Sequence, residues 1–111
     1  MYKTILTGRV TKDVETVPAE DGTSRVNFTV ATPKEFKDKV TGKVESDFVR
    51  CTAFSNLVKY ISEFVKKGDL VGITGRYNHY NYEKDGEKRY GMNLNVQTIE
   101  KLQNAPKKDM F

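Results

Sequence analysis

Apolar residues recur at every second position in several stretches of this chain, and one stretch among them repeats at a helical period instead. Residues 25–32 alternate cleanly, with Val26, Phe28 and Val30 on one parity and Asn27, Thr29 and Ala31 on the other. That is the pattern of a strand with one buried face. Residues 3–10 predict a first strand, with Gly8 where a barrel strand bends or bulges. Pro33 is expected to end the second strand, because its nitrogen cannot donate to a ladder. Residues 34–46 read as a charged loop or exposed hairpin turning at Thr41-Gly42, and a third strand covers about 47–54.

Then the period changes. Leu57, Val58, Tyr60, Ile61, Phe64 and Val65 recur at helical spacing. Ser55 or Asn56 is placed to cap the start, and Gly68, after Lys66-Lys67, to stop the helix. A fourth strand runs from Leu70 to about Tyr82 and turns through Glu83-Lys84-Asp85-Gly86, where Asp-Gly is a strong hairpin signal. A fifth runs from about Lys88 to Ile99. Five strands with one helix between strands 3 and 4 predict an all-β OB-fold, a five-stranded Greek-key barrel whose helix plugs one end. The expected domain spans residues 1–102, with 103–111 a short polar C-terminal tail.

The strand faces carry the chemistry. In residues 48–54 Val49, Cys51 and Ala53 take the core parity, leaving Phe48, Arg50, Thr52 and Phe54 on the other. In the fourth strand Val71, Ile73 and Tyr77 take the core parity, while Arg76, Asn78, Tyr80 and Tyr82 share the opposite one. Two strands thus set cations beside aromatic rings on a face the core does not use. Exposed rings need a cover. Nucleobases stack well on such rings; the 34–46 segment or a subunit interface would also cover them. Phe36, with Lys34, Lys37 and Lys39 nearby, repeats the combination in a polar stretch, either as a packing anchor or as a ring among phosphates.

Length and charge add bounds. At 111 residues the chain is one domain's worth, and no run approaches the ~20 apolar residues of a membrane span. The N-terminus lacks a signal-peptide core, so a cytoplasmic location is expected. Cys51 and His79 are the sole residues of their kinds, which excludes an intrachain disulfide and a Cys/His zinc site; no metal and no cofactor are expected. A formal charge of +4 permits a polyanionic partner without requiring one. Lys3, Arg9 and Lys12 carry the first strand's charge, ahead of an acidic patch at Asp13, Glu15, Glu20 and Asp21. Phosphate-loop, nucleophile-elbow and HExxH signatures are absent, and no enzyme activity is expected.

The stretches Lys3 to Asp13, Val26 to Thr32, Phe36 to Gly42, Asp47 to Phe54 and Lys67 to Arg76 follow one another with the gaps of a known family. Over about residues 2–102 the chain resembles bacterial and phage single-stranded DNA-binding proteins of the SSB type. The resemblance implies a non-enzymatic OB-fold that wraps single-stranded DNA, in replication, recombination or repair. It sets Phe36, Phe48, Phe54 and Tyr82 at base-stacking positions, to which strand parity adds Tyr80. It sets Lys3, Lys39 and Lys67 at backbone-contacting positions, and Arg76 agrees with a family position. Arg9, Lys34 and Arg50 complete the candidate phosphate contacts from their place on the chain. Homo-oligomers are the family habit, with a tetramer favoured over a dimer, and Thr4 and Thr7 stand where relatives often have Val. With no Trp, stacking rests on smaller rings. Many members carry a long tail with an acidic and apolar tip that recruits partners. Here Asp109, Met110 and Phe111 alone match such a tip, so a short form is expected. The alternative reading is an OB-fold protein-interaction module, a primosome or recombination accessory. A nuclease would need a converging Asp/Glu/Arg cluster that the sequence does not show.

Overall fold

The computed structural model describes residues 2–18 and 24–106, without the side chains of Pro18, Glu35 and Phe36. Six strands and one helix follow in the order β1 (Thr4–Val10), β2 (Glu15–Pro18), β3 (Ser24–Lys37), β4 (Val44–Phe54), α1 (Asn56–Phe64), β5 (Leu70–Lys84) and β6 (Glu87–Gln103). Sheet order is β1-β5-β6-β4-β3-β2, and β1 also pairs with β3 through Arg9↔Ala31 and Val10↔Val30, closing the sheet on itself. Pairings are antiparallel except β4 with β6, which are parallel at Cys51↔Leu94 and Thr52↔Asn95. This is the OB barrel that the element order predicts. The sixth strand is the short β2, laid against the start of β3 in a segment whose periodicity predicts no element.

Period-2 alternation sends Leu6 and Val10, Val26, Phe28 and Val30, Cys51 and Ala53, Val71 and Ile73, and Leu94 and Val96 into one core. Val58, Ile61 and Val65 from α1 and its C-terminal edge close it from below. Ile61 is wholly buried, which contributes roughly 1.5–3 kcal/mol relative to exposure. Gly8 sits where β1 passes from β5 to β3. A Cβ there would run into the Ala31 carbonyl oxygen and approach Val30 Cγ1 at 2.7 Å, so the crossing needs glycine.

Several local expectations are corrected. Pro33 does not end β3. The strand continues to Lys37, with Pro33↔Ser46 paired and the register shifting between Pro33 and Lys37. By Pro33 the strand's other side has no pairing among the described residues, so the missing N–H costs no ladder bond. Residues 34–46 are thus the end of a long hairpin, closed by Asp38, whose carboxylate accepts from the Val40 and Thr41 amides at 2.7 and 3.3 Å. Those two amides hold the Asp38 pKa below its usual range. Ser55 occupies the N-cap position of α1 but forms no side-chain cap bond. Phe64 lies half outside the core against the Tyr60 ring. Gly68 is not the helix stop: α1 ends at Phe64 with Val65 extended, and Gly68, at φ 89, turns the chain into β5.

The C-terminal end of β6 is tied down across that turn. Asp69, 3% exposed, accepts from the Lys66 and Ala105 amides at 2.8 Å each and pairs with Lys101 at 3.5 Å. Lys101 also donates to the Phe64 carbonyl at the helix end. The β5–β6 hairpin turns at Asp85 (φ 54) and Gly86 (φ 79), the positive pair that a two-residue hairpin turn of type I′ uses. It is the longest hairpin of the chain, with pairing continuous from Gly75↔Val96 to Lys84↔Glu87.

Candidate nucleic-acid interface

Pairing across β3, β4, β6 and β5 assembles the non-core parity of each strand into one outward face. Arg25 sits opposite Phe54, Asn27 opposite Thr52, Thr29 opposite Arg50 and Ala31 opposite Phe48. Thr52 meets Asn95 across the parallel pair. On the β5–β6 hairpin Arg76 faces Asn95, Asn78 faces Asn93, Tyr80 faces Gly91 and Tyr82 faces Arg89. Side chains thus read from two separate hairpins converge on one surface.

Four rings stand on it in the open: Phe48 is 69% exposed, Phe54 44%, Tyr80 37% and Tyr82 44%. Tyr80 and Tyr82 lie with ring centroids 6.0 Å apart and planes tilted by 37°. Tyr80 rests over Gly91, where any Cβ would collide with its ring, so the glycine seats the tyrosine. Between the strands an open groove of about 630 Å³ has Phe54, Tyr80 and Arg50 on its walls and Asn27, Thr52 and Asn93 on its floor. Lys12, Arg25 and Arg50 line it against Asp13 and Glu15, so its charge is mildly basic.

The expected phosphate contacts scatter more widely. Arg50 is in the groove. Arg76 lies on the same face, its guanidinium 5.3 Å from the Tyr2 ring centroid. Lys34 and Lys39 ride on the β3–β4 hairpin, Lys34 between Glu45 and Asp47 at 3.8 and 3.7 Å. Lys3 precedes β1 and is exposed, as is Lys67 after α1, whose backbone amide donates to Asp13. Arg9 is engaged elsewhere: its guanidinium donates to the Gly68 carbonyl at 2.9 Å and to Gln103 Oε1 at 2.8 Å, tying β1 to the C-terminal end of β6 and lying outside the groove. The backbone of Phe36 belongs to β3, but its side chain lies outside the described residues, as do Asp109, Met110 and Phe111 entirely.

Sequence reasoning missed Arg25 and the amide floor as site residues. Asn78 already stood on a ring-bearing parity and Asn27 on the non-core parity of its strand, and that was the signal available for them. Asn93 and Asn95 needed the β5–β6 register to be placed. On the core side, burial pushes the Cys51 thiol up to about 12 and raises the Tyr77 hydroxyl, marking both as packing groups. No cluster of three or more His, Cys, Asp or Glu suited to a metal occurs among the described residues. No described helix is long and apolar enough to cross a membrane.

Fold and face together define an OB-fold module with an open, ring-walled groove on its sheet. Residues 1–102 match the model of the single-strand binding protein family, and the chain belongs to that family. It is 35% identical over 99 residues to a single-stranded DNA-binding protein of Staphylococcus epidermidis, covering 89% of this chain and 74% of that one. It is 39% identical over 93 residues to single-stranded DNA-binding protein 2 of Clostridium acetobutylicum, covering 81% and 68%. The fold matches a Plasmodium falciparum SSB solved in complex with ssDNA, at a TM-score of 0.82 and 19% identity over 93% of this chain and 96% of the other.

Proposed function

We propose that this chain binds single-stranded DNA, as its relatives' names say of them, and that it does so with little sequence preference and no chemistry of its own. The observation that carries the reading is the set of four exposed rings on one outward face, beside Arg50 and Arg76. Bases stack on Phe48, Phe54, Tyr80 and Tyr82, each worth about 1–3 kcal/mol. Arg50, Arg76, Lys34 and Lys39 meet phosphates, with Lys3 and Lys67 further along the strand's path and Phe36 as a fifth ring. Residues 1–102 are the binding domain. The role is protection of unpaired DNA during replication, recombination or repair, in a bacterial or phage-infected cytoplasm.

The working form is a homo-oligomer, a tetramer before a dimer. Titration with oligo-dT tests the reading, because the chain has tyrosines and no tryptophan to mask them. Quenching of tyrosine emission that saturates at a fixed nucleotide-to-protein ratio is expected, and light scattering with poly-dT gives the oligomer's mass. Emission indifferent to oligo-dT, with no change in scattering, contradicts it.

A further inference from the structure

The groove floor is made of carboxamides, which neither stacking nor charge neutralisation calls for. Asn27, Asn78, Asn93 and Asn95 line it together with Thr52, itself 5% exposed. Two of them are locked. Asn93 Nδ2 donates to Thr52 Oγ1 at 2.8 Å, and the single hydroxyl proton goes on to Asn27 Oδ1 at 3.0 Å. Asn78 and Asn95 make no side-chain hydrogen bond among the described residues, although both line the groove. They lie on one face of the β5–β6 pair, Asn78 opposite Asn93 and Asn95 opposite Arg76.

A free carboxamide presents a donor and an acceptor side by side, and half a turn about its terminal torsion exchanges them. Adenine and cytosine show an amino donor beside a ring-nitrogen acceptor on their pairing edges. Thymine and guanine show a carbonyl acceptor beside a ring N–H. One rotating amide therefore fits the pairing edge of every base. A locked amide fits one order only.

We infer that Asn78 and Asn95 form a sequence-tolerant reader of unpaired base edges, set beside Phe54 and Tyr80 and steadied from below by the Asn27–Thr52–Asn93 chain. The inference rests on the groove holding single-stranded DNA and adds what stacking cannot provide. A base already paired in a duplex has no free pairing edge, so this subsite selects strand state while staying indifferent to sequence.

The test compares oligo-dT with an oligomer of equal length carrying difluorotoluene in place of thymine, a near-isostere that stacks but pairs poorly. Both are titrated against wild type and an Asn78→Leu/Asn95→Leu double variant whose fold is checked by circular dichroism. Wild type is expected to bind the substituted oligomer at least about fivefold more weakly, and the double variant to bind both alike. Equal affinity of wild type for the two oligomers overturns the inference and leaves single-strand binding intact. The wild-type comparison stands even if the variant misfolds. A variant that keeps the full preference also overturns it. Wild type that binds neither oligomer overturns the proposed function itself, and this subsite with it.

Discussion

Cys51 shows what the core does to a single side chain. Strand parity turns it inward, and desolvation disfavours the thiolate, lifting the pKa from an ordinary 9.0 to about 12. A raised pKa means that the native state holds its proton longer than the unfolded chain. This contribution to stability is therefore full below about 9 and is lost as pH rises toward 12. Folded protein should resist thiol reagents at pH 8 and react fully once denatured; rapid labelling of the native form would place the thiol outside the core. Gly8 is a second case. Gly8→Ala sets a methyl against the Ala31 carbonyl, which is backbone and cannot swing aside. It should cost about 1–3 kcal/mol in a denaturant titration. Asp69→Asn keeps the size but loses the charge that faces Lys101, and should lower Tm and loosen the end of β6.

At the scale of elements, legibility followed periodicity. The strands of the closed barrel and the helix were readable because alternation and helical spacing each persist over many residues, and Asp85-Gly86 fixed the long hairpin. What escaped was set by neighbours. Pro33 reads as a stop, but it lies where β3 has one partner and the chain runs on. The four residues Glu15–Pro18 become strand through the start of β3 alone. Arg9 resembles a free cation in sequence, yet its bonding partners are 59 and 94 positions away. Four of the five expected rings were legible as a group because parity alone places them, whereas the amide floor needed the register between β5 and β6. The hairpin gives its own prediction. Gly91→Ala displaces the Tyr80 ring from its seat. It should weaken oligo-dT binding by no more than the ~1–3 kcal/mol of one stacked base, with the thermal midpoint nearly unchanged.

Across the whole molecule, the charge is modest and the rings are many. A net +4 and a groove lined by both signs argue against a purely electrostatic grip. The six proposed phosphate contacts per protomer give a slope no steeper than about −4 in log K against log salt, and substantial affinity should survive at about 0.2 M salt. A much steeper slope would move the weight from rings to cations. The most direct measurement is oligo-dT affinity of Phe48→Ala and Phe54→Ala beside wild type, at one salt concentration, with thermal unfolding of each. Both side chains are exposed, so the fold should hold. Each variant should lose about 1–3 kcal/mol of binding at an unchanged midpoint. Wild-type affinity in both variants would contradict the account, because bases would then be resting somewhere other than on this face.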